Sequence, residues 1–225
     1  GVDAVIGQYG RDSDVRVDQT GVRGPATAVV VDTEDARNNA LDVVQDGQGP
    51  QRAFVVMRGT AINAPEAGSE ALEIEISSKE LTSGQEQTVR EALDDARGSI
   101  TQGGGPNQAY VYVGRSAEDS AIGIDQDNPG GPANQAAIVQ YATDSKVLQV
   151  QKGADNLAQA VQRGSRNTVL QYQDGIGNDS RVRQTGRKNQ FIQVQIGNNL
   201  GNGMEFSQSG GSTMTIYQTG NGGGP

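Results

Sequence analysis

The sequence predicts an all-β fold, a β-solenoid of stacked strand-turn-strand coils with amyloid-like cross-β hydrogen bonding and one small inserted α/β segment. Three observations carry that prediction. Gln162, Gln173, Gln184 and Gln195 stand eleven residues apart, each followed two places later by Gly164, Gly175, Gly186 and Gly197. Apolar residues precede the glutamines at alternate positions, the period of a strand with one buried face. Only 34% of the 225 residues are hydrophobic and 4% aromatic, which suits a core two side chains wide better than a thick globular one.

The repeated phrase can be followed along most of the chain. Val2, Ala4, Ile6, Gln8 and Gly10 open it; Val15, Val17, Gln19, Gly21 and Leu41, Val43, Gln45, Gly47 follow. Ile122, Ile124 and Gln126 repeat it with Asn128 in place of glycine, and Ala136, Ile138, Gln140 and Val147, Gln149, Gln151 continue it. The last two units are Met204, Phe206, Gln208, Gly210 and Met214, Ile216, Gln218, Gly220. Asn156, Asn167, Asn178 and Asn189 each fall five places after a glutamine. Outward positions between the buried ones, such as Arg181, Arg183, Thr213 and Thr215, are polar.

Glycine after each strand supplies a backbone free to take positive φ and reverse. Stacked coils then bring glutamine over glutamine and asparagine over asparagine, so their amides can bond along the stack. A β-sandwich would explain the alternation. It would not explain why one buried amide recurs at one inward position, since a buried amide needs a partner.

The organisation reads as N-terminal rungs over 1–59, an acidic insertion over 60–119, a C-terminal repeat array over 120–221 and a glycine-rich tail over 222–225. Residues 60–128 hold 13 acidic and 4 basic residues, which accounts for the whole net charge of −9. Within the insertion, Ala71–Ser77 alternates as a strand. Thr82 and Gln85 form a capping box before a helix over 83–97, with Val89, Ala92, Leu93 and Ala96 on one stripe and Gly98 as its stop. That stripe is expected to pack on the strand or on the side of the solenoid. Residues 101–107 read as a loop, and Ala109–Gly114 as a further strand.

The spacing Q-x-G-x-x-N followed by five residues and another glutamine resembles the curlin repeat, the building unit of curli, bacterial functional amyloid fibres. Residues 134–221 carry the resemblance almost continuously, Val2–Gly21 and Asn39–Gly47 in shorter pieces. It implies a secreted subunit that polymerises outside the cell as biofilm matrix or adhesive fibre. Methionine at the amide position of the unit Gln51, Ala53, Val55, Met57 departs from the pattern, as does the insertion.

Composition removes other functions. The chain has no histidine and no cysteine, hence neither the commonest general base nor a thiol nucleophile or thiolate metal site. Glu73 and Glu75 share a solvated strand face. Asp94, Asp95, Asp125 and Asp127 match no calcium loop, and no apolar run is long enough to span a bilayer. Arg163, Arg166, Arg181, Arg183, Arg187 and Lys188 form a basic stripe that reads as a solvated face rather than a nucleic-acid footprint. The chain therefore reads as structural rather than enzymatic, without catalytic residues, cofactor or metal.

With no evident cap, rungs Val2–Gly10 and Ser212–Gly220 are expected to form the subunit junction through Val2, Ala4, Ile6, Gln8, Ser212, Met214, Ile216 and Gln218. The expected partner is a second copy of the chain, head to tail, with a nucleator subunit and secretion or chaperone proteins alongside. The mature chain would then sit in a cell-surface fibre. Two alternatives stand beside this one: a monomeric solenoid binding ice or carbohydrate through a flat outward array, and a minor nucleating or anchoring subunit of the same fibre.

Overall fold

A computed structural model describes residues 2–8, 14–21, 24–32, 40–47, 49–58, 99–114, 117, 120–201 and 203–220. The strands fall into two eight-stranded sheets. The first, the odd sheet, holds β1 (Val2–Gln8), β3 (Ala26–Asp32), β5 (Gln51–Met57), β7 (Asn107–Val113), β9 (Asn134–Thr143), β11 (Leu157–Ser165), β13 (Asp179–Arg187) and β15 (Glu205–Ser209) in that order. The even sheet holds β2 (Asp14–Thr20), β4 (Ala40–Asp46), β6 (Ser99–Gly104), β8 (Ala121–Asn128), β10 (Lys146–Ala154), β12 (Thr168–Ile176), β14 (Gln190–Ile196) and β16 (Thr213–Thr219).

Every pairing is parallel and joins strands two apart in sequence. One odd and one even strand thus make a coil, and eight coils stack into a parallel β-solenoid. Alternation in the sequence becomes alternation in burial. In β5 and β7 the first, third, fifth and seventh residues are buried, while the second and fourth face solvent. The inward residues of both sheets meet in one thin core that runs from Ala28, Val30 and Val43 to Val182 and Phe191.

Corners are tight, and their backbone is specialised. Asp144, Asp155, Arg166, Lys188 and Asn199 all take φ between 49° and 58°, the left-handed region in which Asp and Asn are tolerated best. Two places before Asp155, Arg166, Lys188 and Asn199 the chain passes through a second positive φ, at Gly153, Gly164, Gly186 and Gly197. At Gly164 this is +107°, and an added Cβ would strike the carbonyl of Gly186 one coil above. Here glycine is required both by φ and by the spacing of the coils.

Two expectations about the insertion need correcting. Residues 101–107 do not form a loop, because β6 runs through Gly103 and Gly104 and pairs with β4 and β8. Residues 99–113, assigned to the insertion, form a full coil, β6 with β7, in register with its neighbours. The strand expected over 71–77 and the helix over 83–97 lie outside the described residues.

Candidate functional site

The register of the even sheet places Gln19, Gln45, Gln102, Gln126, Gln151, Gln173, Gln195 and Gln218 in one column, one glutamine per coil. Each donates its Nε2 hydrogen to the Oε1 of the next, over distances of 2.7 to 2.9 Å. The second amide hydrogen crosses to a backbone carbonyl of the odd sheet, as from Gln102 to Arg52, Gln151 to Gln135 and Gln173 to Leu157, at 2.9 to 3.0 Å. Both protons and the oxygen of an interior member are therefore used. That satisfaction is what permits these side chains to be fully buried.

The odd sheet has a shorter column. Gln140, Gln162, Gln184 and Gln208 bond in the same direction at 3.3, 3.0 and 2.8 Å. Below Gln140 the column positions are Val113, Met57 and Asp32, none of which is a glutamine. Gln8 lies beyond Asp32. Gln8 was expected in a glutamine ladder; its register neighbour rules that out.

A third set of buried glutamines fills core positions that the repeat assigns to apolar residues. Gln149, Gln171 and Gln193 are all fully buried. Gln149 donates to Gln171 at 2.7 Å, Gln171 to the Ser180 hydroxyl at 2.7 Å, and Ser180 to Gln193 at 2.5 Å. One signal for this set was in the sequence: the triplets Val147-Gln149-Gln151, Val169-Gln171-Gln173 and Phe191-Gln193-Gln195 recur every 22 residues, one full coil. Gln102 was missed for another reason, because glycines follow it directly and suggest a turn.

The direction of these columns explains two buried oxygens without partners. Gln140 Oε1 and Gln149 Oε1 have none. Each would accept from the residue one strand below, Val113 and Ile124 respectively, and neither side chain can donate. A column that starts inside the core thus begins with an unpaired acceptor.

The corner asparagines tie one coil to the next. Asn134, Asn156 and Asn178 accept through Oδ1 from the backbone N–H of Asn156, Asn178 and Leu200, at 3.0 to 3.1 Å. On the other edge Asn167 and Asn189 accept from Asn189 and Ser212, at 3.0 and 3.2 Å. Asn156, Asn167 and Asn178 also donate to Gly175, Gly186 and Gly197 in the coil above. The turn glycines take φ values of 107°, 134°, 97° and 129° at Gly164, Gly175, Gly186 and Gly197.

A sequence model of the curlin-associated repeat matches residues 153–186, where both glutamine columns, both asparagine corners and the turn glycines coincide. Residues 153–186 carry a curlin-associated repeat. Neither the curated proteins nor the solved structures contain a match to the chain. Curlin repeats build structural proteins rather than enzymes.

The edge coils are β1 with β2 and β15 with β16, each strand having one neighbour among the described strands. The junction anticipated between Val2–Gly10 and Ser212–Gly220 needs a correction, because β1 and β16 lie in opposite sheets. A head-to-tail contact that continued each sheet would set β15 against β1 and β16 against β2. Val15, Val17 and Gln19 at one end, with Phe206 and Gln208 at the other, lie on the same edge coils as Ala4, Ile6, Met214, Ile216 and Gln218. Core residues at both edges are incompletely covered: Val15, Val17, Phe206, Met214 and Ile216 are partly buried and Ile6 is exposed.

The remaining candidates are dispersed. Arg163, Arg181, Arg183 and Arg187 belong to β11 and β13, whereas Arg166 and Lys188 are corner residues. Arg181 lies 3.0 Å from Asp179 and Arg166 3.9 Å from Asp144, the pattern of a solvated charged face. Asp125 and Asp127 are alternate residues of β8, and no cluster of metal-ligating side chains forms among the described residues. Thr213 and Thr215 are exposed on β16 alone. Glu73, Glu75, Asp94 and Asp95 lie outside the described residues.

Proposed function

We propose that this chain is a structural subunit of an extracellular curli-like fibre, polymerising head to tail by stacking edge coil on edge coil. The observation that carries the proposal is the polarity of the even column. It crosses all eight coils in one hydrogen-bond direction, so among the described residues it ends on the Oε1 of Gln19 at one edge and the Nε2 of Gln218 at the other. Donor and acceptor are complementary only between different copies. The half-open apolar core at each edge coil adds burial to the same contact, and an edge strand offers unpaired backbone groups. Stacking of this type does not close on itself and yields an open filament. Such fibres would serve as biofilm matrix or in adhesion, with a nucleator subunit and export proteins as further partners. A flat ice- or sugar-binding array has less support, because outward threonine pairs occur only at Thr213 and Thr215.

The test is dilution of the chain from denaturant, followed by electron microscopy and fibre diffraction. Unbranched filaments with a reflection near ~4.7 Å along the axis are expected. Persistent monomers, even with seeds, would sink the proposal. A directed variant sharpens it. Gln190 N–H donates to Ser212 and Gly220 N–H to Ile196, so by the parallel pattern the N–H of Thr215 points to the free edge. Thr215→Pro should slow elongation while leaving the far-ultraviolet circular dichroism of the monomer unchanged.

A further inference from the structure

Two tyrosines from successive coils meet on the outer face of the odd sheet. Tyr112 of β7 stands opposite Val139 in register, and Tyr141 follows two places later in β9. Both side chains point outward, because Val111, Val113, Gln140 and Ala142 on either side of them are buried. Diagonal neighbours on adjacent strands lie within reach of aromatic side chains. Here the ring centroids are 5.6 Å apart at an interplanar angle of 49°, a tilted contact within the favoured range. A hydrogen bond joins the two side chains. Gly114 makes the contact possible. It lies opposite Tyr141, one place beyond the pair Val113 and Gln140, and an added Cβ would fall on the Tyr141 ring. Its φ is outside the left-handed region, so the missing side chain serves the ring and not the backbone. Guanidinium groups flank the pair, Arg58 at 5.9 Å from the Tyr112 centroid and Arg163 at 5.4 Å from that of Tyr141. Tyr110, outward on the same strand as Tyr112, stacks on Phe54 instead. Both tyrosines of the pair are half-buried, so their ring edges meet solvent.

We propose that Tyr112 and Tyr141 form an oxidative cross-linking site, at which a dityrosine bond staples the β7 coil to the β9 coil. The co-reactant is a one-electron oxidant of the haem-peroxidase class working with hydrogen peroxide. Each phenol gives up one electron and one proton and becomes a tyrosyl radical. The two radicals combine through a carbon ortho to each oxygen, forming one C–C bond. Each of those carbons then releases its hydrogen as a proton and each phenol oxygen regains one, which restores both rings. The pair has lost two electrons and two protons in all, and these reduce one hydrogen peroxide to two waters. The place of the site in the stack gives the bond a purpose. The odd glutamine column breaks between β9 and β7, where Gln140 meets Val113, and the tyrosine pair lies beside that break. With no cysteine in the chain, a disulfide cannot bridge the step. A dityrosine bond would join covalently the two coils that the odd column leaves unlinked.

The test treats full chain, isotope-labelled and unlabelled copies mixed, with a haem peroxidase and hydrogen peroxide. Trypsin then cuts at Arg115, between the two tyrosines, and the peptides are weighed by mass spectrometry. The expected product joins the peptide of Tyr112 to that of Tyr141, is lighter than their sum by two hydrogens, and is of one isotopic form. Methionine sulfoxide, the competing oxidation, adds an oxygen and is told apart by mass. Tyr112→Phe and Tyr141→Phe should each abolish the product, whereas Tyr110→Phe should leave its yield unchanged. Gly114→Ala keeps both tyrosines but displaces the Tyr141 ring, so the yield should fall several-fold. The same fall is expected for the unsubstituted chain in urea, a comparison that needs no variant to fold. Absence of the product from the folded chain overturns the proposal. So does coupling chiefly between isotopic forms, coupling chiefly through Tyr110, or an equal yield in urea. The readout applies to monomers and filaments alike, so failure to polymerise leaves this test intact.

Discussion

The first four coils and the last four solve the same packing problem differently. In coils β9 to β16, glutamine columns run in both sheets and a third buried set follows Gln149, Gln171 and Gln193. In coils β1 to β8 only the even column persists. Val113 and Met57 occupy the other column, and Val43, Ile100 and Ile124 stand where the third set would be. The N-terminal half is held chiefly by apolar burial, the C-terminal half by amide chains whose members depend on one another. The difference teaches that a glutamine column has a direction, so an interior starting point always leaves one oxygen unpaired. Only a column that reaches an edge coil avoids that cost inside the core.

The sharpest way to break the comparison is Gln151→Leu, inside the complete column. It severs the bonds to Gln126 and Gln173 and leaves a new buried acceptor on Gln173, a loss of about 3 kcal/mol. The urea midpoint of unfolding should fall accordingly. Gln140→Leu, at the start of the interrupted column, should cost only about 1 kcal/mol. It removes the bonds to Gln162 and to the Ser145 carbonyl and transfers the unpaired oxygen from Gln140 to Gln162, so no further buried acceptor side chain is orphaned. Equal losses for the two variants would refute the directional account.

A pH titration probes the boundary between the halves. Burial raises the pKa of the Asp125 carboxyl above its ordinary value of 3.8. Below 3.8 the folded and unfolded states are both protonated there, and nothing is lost. As pH rises from there to the higher folded value, the unfolded chain ionises first and stability falls, and the full penalty persists above the folded value. Asp125→Asn should therefore stabilise the chain at neutral pH, with a gain that fades on acidification. A gain that does not vary with pH would point to packing instead. The smallest expected effect belongs to Val113→Gln. It supplies a donor to Gln140 but carries an oxygen that Met57 cannot pair, so stability should stay within about 0.5 kcal/mol of wild type. A larger gain would mean that the starting oxygen carries little cost.

Much of this was legible in the sequence. The eleven-residue spacing of Gln162, Gln173, Gln184 and Gln195, with glycine two places on, led directly to strands, corners and coils. The columns themselves were legible only where the whole phrase is present. Gln102 escaped because Gly103 and Gly104 follow it, and glycine in a strand looks like a turn until a partner strand supplies the register. Gln8 was misjudged for the opposite reason. Its local phrase is complete, but the residue beside it in the stack is Asp32, 24 positions away.

By itself the sequence determined the alternating strands, the glycine corners and an inward amide in most repeats, because side-chain period and backbone conformation are local properties. The tertiary structure alone decided which amides meet, which oxygens stay unpaired and which strands form the two edges. Those depend on parallel register between strands one coil apart, and in the stretch spanning the insertion that neighbour lies as many as 57 residues away, as for Gln45 and Gln102.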